Sequence, residues 1–192
     1  MERVHKIWIH PLYQEQYIHL QEAERDRIFC NHTLSHFLDV ARLMYLYALT
    51  EQVGLERHLI YAAAMLHDIG RYAQITEGVP HEQASASLAQ KILPECGYTK
   101  SETNAVCAAI LRHRGEPVKT AFSEREKAMP NGAIPSSVRE FNMPDEELAS
   151  LGESLLSSYL RRADKQSRCR FACPAAAECH WPEEKKNAQI LL

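Results

Sequence analysis

The chain has 192 residues, 45% of them hydrophobic and 24% charged, and 22 Lys and Arg stand against 25 Asp and Glu for a net charge of −3. That is the composition of one globular domain with room for a small appendage, without the basic excess of a nucleic-acid or membrane-surface binder. No apolar run approaches the ~18 residues of a membrane span, and the opening residues Met1 to Lys6 lack the apolar stretch of a signal peptide, so a soluble, cytoplasmic protein is expected.

Taken in chain order, the elements all read as helix. An N-terminal helix is expected near residues 11–28. Residues 31–50 repeat Leu34, Leu38, Ala41, Tyr45 and Leu49 at helical steps. Residues 55–69 do the same with Leu55, Leu59, Ile60, Ala63, Leu66 and Ile69, and Gly70 reads as a left-handed terminator. A fourth helix covers 81–93 and is closed by Pro94 and Gly97. The next runs to about His113, with Ser101 as N-cap and no capping-box Glu at Asn104. Residues 115–144 hold four Pro and two Gly, which marks a loop insertion, either a lid or a surface excursion. Residues 145–167 form a long amphipathic helix with Leu148, Leu151, Leu155, Tyr159 and Ala163 in its stripe. Pro182, Glu183 and Glu184 begin a last short helix. No run alternates β-branched residues as a strand would. The fold class is all-α, with an N-terminal helical segment (1–30), a main domain (31–167) and a cysteine-bearing tail (168–192).

The chain carries ten His and six Cys. His67 and Asp68 end the most hydrophobic helix, where two adjacent polar residues need partners and the negative end of the helix dipole favours a cation. Further His and Asp follow at comparable places: His36 on the preceding helix, His81 opening the next, His113 closing the one after, and Asp164 near the end of the last. Ser35-His36-Phe-Leu-Asp-Val-Ala41, Ala64-Met-Leu-His67-Asp68-Ile-Gly70, His81 with Ala84 and Ala86, Ile110-Leu-Arg-His113 and Arg162-Ala-Asp164-Lys165 together resemble the HD-domain superfamily of metal-dependent phosphohydrolases over residues 30–165.

The resemblance implies a helical HD bundle with His36, His67, Asp68 and Asp164 on one metal. The two additional His are the mark of dinuclear members, in which Asp68 bridges as the catalytic centre and His81 and His113 hold the second ion. Imidazole with carboxylate suits iron, manganese, zinc, nickel or cobalt alike. The implied reaction is hydrolysis of a nucleotide or other small phosphate ester by a metal-bound hydroxide. In size and six-ligand pattern the chain is similar to the HD hydrolases that split dinucleoside polyphosphates symmetrically. Arg71 stands where mononuclear nucleotidases of the superfamily place an acid, and the His-His-Glu and Gly-Tyr-Pro motifs of the cyclic-dinucleotide phosphodiesterases are absent. Arg71, Arg112, Arg114 and Lys165 are the candidate phosphate contacts, against the alternative of ordinary solvated helix ends. His32, four residues before His36 on the same helix face, is read as supporting the ligands from behind or simply packed and is left outside the ligand set, and His5, His10, His19 and His58 are expected at the surface. Two other readings share the ligand set: an HD-fold di-iron oxygenase, and a non-catalytic nucleotide- or metal-binding module.

Soon after Asp164 come Cys169, Cys173 and Cys179, spaced C-x3-C-x5-C, with His180 next to the last. Adjacent residues seldom both ligate one ion, so Cys30 is the better fourth member. The HD resemblance sets the first and last ligand-bearing helices side by side, which brings Cys30 to the tail as part of a zinc or iron–sulfur site. The alternative is a set of reduced thiols in a short hairpin. Cys96 and Cys107 read as core thiols.

Overall fold

Pro11 divides the N-terminal segment, because proline is tolerated in the first turn of a helix and not in its interior. In the computed structural model, which describes residues 1–28, 30–114, 145–179 and Asn187 (145–154 by backbone alone), two short helices result: α1 (Glu2–Ile9) and α2 (Pro11–Ala23). His10 joins them, its imidazole accepting from the Leu12 N–H. The single helix expected over 11–28 thus stops at Ala23 and has a companion before it. Neither helix stands apart from the rest: Val4, Ile7, Tyr13 and Leu20 enter the common core. Tyr13 donates from its hydroxyl to the Met65 carbonyl at 3.1 Å, and Trp8, Tyr17 and Phe37 pack edge to face.

The remaining helices are α3 (Leu34–Thr50), α4 (Arg57–Leu66), α5 (Arg71–Glu77), α6 (His81–Glu95), α7 (Lys100–Arg112) and α8 (Asp145–Gln166). The architecture is all-α, with no strand among the described residues. Helices α3, α4, α7 and α8 pack against one another around the core, and α6 pairs with α7. Among the described residues no helix is long and apolar enough to cross a membrane. The insertion expected at 115–144 and the short helix from Pro182 lie outside the described residues.

Three local expectations need correction. The buried face of α3 is Phe37, Val40, Ala41, Met44, Tyr47 and Ala48, while Leu49 is 57% exposed; the stripe is turned by about one residue, and His36 sits on its buried side. Helix α7 starts at Thr99 rather than Ser101, with a complete capping box between Thr99 and Glu102. Gly70 is not left-handed: its φ is −79°, and the left-handed position is Gly78 (φ 73°), which ends α5. Gly70 is required for a different reason. A Cβ there would lie 2.4 Å from the Ser85 nitrogen and 2.7 Å from the His81 carbonyl oxygen. The missing side chain lets the turn after α4 lie directly on the first turn of α6, where the Gly70 N–H donates to Ser85 Oγ at 2.9 Å. Gly97, at φ 85°, closes α6 as the sequence suggests, but Pro94 does not end the helix: it lies inside the last turn, and α6 runs on to Glu95.

Candidate metal centre

The close approach at Gly70 sets the two halves of the site against each other. His67 and Asp68 occupy the tight turn between α4 and α5, His81 opens α6, His113 ends α7, His36 faces in from α3 and Asp164 from α8. All six meet. Ligand atoms of His36, His67, Asp68 and Asp164 lie within 4.8 Å of one another, as do those of Asp68, His81 and His113. Asp68 belongs to both groups and turns a different oxygen to each. Its Oδ2 is 3.4 Å from His67 Nε2, and its Oδ1 is 3.1 Å from His81 Nε2 and 4.0 Å from His113 Nε2. Asp164 Oδ1 lies 3.4 Å from His36 Nε2 and 3.6 Å from His67 Nε2.

The other edge of each imidazole decides what these atoms can do. His67 Nδ1 faces the Ala64 carbonyl at 2.8 Å, His113 Nδ1 faces that of Ile110 at 2.5 Å, and His81 Nδ1 faces Gln74 Oε1 at 2.9 Å. These oxygens only accept, so each Nδ1 carries the proton and each Nε2 turns a lone pair inward. The Ser167 hydroxyl donates to the Asp164 carbonyl and accepts from His36 Nδ1, which leaves His36 Nε2 in the same state. Lone pairs and carboxylates therefore converge: His81 and His113 oppose their Nε2 atoms at 3.4 Å, and buried His67 Nε2 has no hydrogen-bond partner. Acceptors crowded this way call for a cation. The donor set fits one or more divalent metal ions.

The electrostatics follow from the same crowding. Burial and the neighbouring positive His67 push His113 down to about 4. Burial likewise brings His36 to about 4, with Arg168 adding to it against the pull of Asp164, and lowers His81. For His67 burial acts downward too, but Asp68 and Asp164 outweigh it and raise the ring to about 10. Burial raises the two carboxyls, yet His67 with His32 holds Asp68 well below the usual carboxylate range, and His36 with His67 does so for Asp164.

Around this group lie further residues, among them His32, which the sequence reads as either supporting the ligands or simply packed. Buried His32 bonds Asp68 Oδ2 through Nε2 at 3.1 Å and Glu24 Oε1 through Nδ1 at 2.7 Å, so it acts through Asp68. Glu24 is itself buried and receives the His32 backbone N–H. Arg168 reaches His36 Nε2 at 3.1 Å. Ser167 and Arg168 lie one helical turn beyond Asp164, a spacing that could have pointed to them; Glu24 carries no such signal. Among the cations expected near phosphate, Arg71 uses Nε on Asp68 Oδ1 at 3.2 Å, Arg112 and Arg114 are exposed beside His113, and Lys165 is half-buried beside Asp164. His5 is exposed as expected, but His10, His19 and His58 are half-buried, and His58 bonds Glu102 at 2.8 Å.

The HD-domain family matches residues 33–169, the stretch that supplies all six converging side chains. The chain belongs to the HD-domain family. That membership places it among metal-dependent phosphohydrolases, and the buried His and Asp group is the part of the chain that suits such a metal. It is also similar to an uncharacterized protein of Clostridium beijerinckii, at 35% identity over 170 residues that cover 88% of this chain and 86% of that protein. No solved structure matches the chain.

The four tail-associated cysteines are arranged differently from the HD ligands. Arg170 touches the sulfurs of both Cys179 and Cys30. Among the described residues, however, no three of the cysteine sulfurs fall within 4.8 Å of one another. Cys96 and Cys107 are buried in the core, as their surroundings in the sequence suggest.

Proposed function

We propose that this HD protein binds two divalent ions, one in each ligand group, and hydrolyses a nucleotide or another small phosphate ester. The observation that carries the reading is the shared carboxylate: Asp68 presents separate oxygens to two groups of imidazole nitrogens. A pair of bound ions supplies Lewis acidity, screening the phosphate charge and lowering the pKa of a water. The protein's part is positioning. Ala64, Ile110, Gln74 and Ser167 fix four imidazoles in the ligating tautomer, and His32 and Arg71 fix Asp68. Arg71 and Lys165 are the cations best placed for phosphate oxygens, with Arg112 and Arg114 further out. A guanidinium whose ε-nitrogen is anchored on Asp68 keeps a fork of terminal nitrogens for the substrate.

The test is metal content together with hydrolysis of a generic phosphodiester and a nucleotide panel in manganese or iron. Wild type should carry close to two ions per chain at these residues, and His81→Ala with His113→Ala close to one. Asp68→Ala should abolish hydrolysis while its circular dichroism stays helical. Phosphodiester hydrolysis retained by Asp68→Ala refutes the reading. Oxygen uptake with an iron requirement that manganese cannot replace would assign the site to an oxygenase instead.

A further inference from the structure

Beyond the HD ligands, a second concentration of metal-ligating side chains sits where the C-terminal tail meets the start of α3. We infer that Cys30, Cys169, Cys173 and Cys179 form a structural zinc site that fastens this tail to the domain. After α8 the described chain makes two 3-10 turns, Arg170–Ala172 and Ala176–Glu178. Cys169 and Cys173 bracket the first, and Cys179 ends the second. The backbone hydrogen bonds of the turns are all local, from Ala172 to Cys169, Cys173 to Arg170, Ala176 to Cys173 and Cys179 to Ala176. Ala175 is the only apolar side chain buried between 168 and 179, and Phe171 is 47% exposed. A segment with so little core gains most from a cross-link.

Two of the four sulfurs, those of Cys30 and Cys179, already share a partner. Cys30 lies in the connection between α2 and α3, and two arginines tie the tail to it. Arg168 donates to the Asn31 carbonyl at 3.4 Å. Arg170, buried at 7% exposure, donates to Cys179 Sγ at 2.6 Å and to Cys30 Sγ at 3.7 Å, across 140 residues of sequence. Cys169 and Cys173 flank that same arginine. Ligation requires their side chains to rotate inward, and both lie at the surface, Cys169 exposed and Cys173 half-buried. Four thiolates around Zn²⁺ give the tetrahedral all-sulfur set that zinc accepts. They leave two net negative charges, which N–H donors from a guanidinium stabilise from outside the ligand shell. The HD centre, built of imidazole and carboxylate, offers no thiolate, so the two sites are chemically separate.

The distinguishing experiment loads the full-length protein, under reductant and without oxygen, with cobalt(II) as a surrogate for zinc. Sulfur-to-cobalt charge-transfer absorption in the near ultraviolet is expected. It should be lost in each of Cys30→Ser, Cys169→Ser, Cys173→Ser and Cys179→Ser, and kept in Cys96→Ser and His81→Ala. Zinc content should fall by one ion per chain in Cys173→Ser. To separate ligation from folding of the cysteine variants, the wild-type protein provides a second measurement. Four thiols should resist a thiol reagent until a chelator removes zinc, and then react together. Absence of the charge-transfer band, its survival in Cys30→Ser, an iron- and sulfide-containing chromophore, a disulfide among the four, or immediate reaction of the thiols would each overturn the proposal. None of these readouts depends on hydrolysis.

Discussion

Replacing Gly70 with alanine tests how the fold holds the metal centre together. The backbone angles at Gly70 (φ −79°, ψ 4°) suit any residue, so the cost is steric alone. The added methyl would lie 2.4 Å from the Ser85 nitrogen, 2.7 Å from Ala84 Cβ and 2.7 Å from the His81 carbonyl oxygen. Two of these are backbone atoms that no rotamer change can move. The first turn of α6 must retreat by about 1 Å to reach van der Waals separation. Overpacking of this kind costs about 1–3 kcal/mol, and loss of the 2.9 Å bond from Gly70 to Ser85 adds about 1 kcal/mol. The total expected is roughly 2–4 kcal/mol. The same retreat carries His81 away from Asp68 Oδ1, now 3.1 Å distant, so the Asp68–His81–His113 group should also bind metal more weakly. Urea unfolding gives the first quantity, and metal titration of the folded variant gives the second. Gly54→Ala is the control: nothing lies within 4 Å of its added Cβ, and it should be neutral or stabilise by up to ~1 kcal/mol. A Gly70→Ala protein within about 0.5 kcal/mol of wild type, with unchanged metal affinity, would refute the reasoning.

Two further outcomes follow from buried or paired polar groups. His32→Ala should weaken metal binding by about tenfold to a hundredfold, because Asp68 loses the partner that orients its Oδ2; equal affinities in a calorimetric titration would mean that His32 is merely packed. Glu102 bears on acid stability. Burial raises its carboxyl, but the Thr99 backbone N–H, His58 and Arg3 outweigh that and hold it at about 2, below the ordinary 4.5. A depressed folded value stabilises the protein above the ordinary value and is lost as pH falls from 4.5 towards 2. Glu102→Gln should therefore be less stable than wild type by roughly 1–3 kcal/mol near neutrality, with the gap closing across that acid window. A gap independent of pH in denaturant unfolding would show that charge is not what Glu102 contributes.

The ligand residues were legible because each is a costly polar side chain set among apolar neighbours. That expense shows in the sequence at His36, His67, Asp68, His81, His113 and Asp164 wherever the partners lie. The Thr99 to Glu102 capping box was equally legible, since it depends on local spacing, and placing the cap at Ser101 missed it. Gly70 shows a boundary of another kind: a glycine after a helix reads as a left-handed cap, and only the approach of α6 reveals that it is there to make room. Glu24 belongs with Gly70. It ends α2, where no periodicity points to the metal centre, whereas His32 and Arg168 stand one helical turn from His36 and Asp164, a spacing that points to them. Sequence alone determined that the chain is helical, belongs with the HD proteins and spends six polar residues on one buried place, since helical period and burial cost are properties of each segment. The tertiary structure decided which oxygen of Asp68 faces which group, which nitrogen of each imidazole keeps its proton, and which arginine meets Cys30. Those depend on atoms brought to within hydrogen-bonding distance by helices far apart in the chain, and no local pattern encodes such distances.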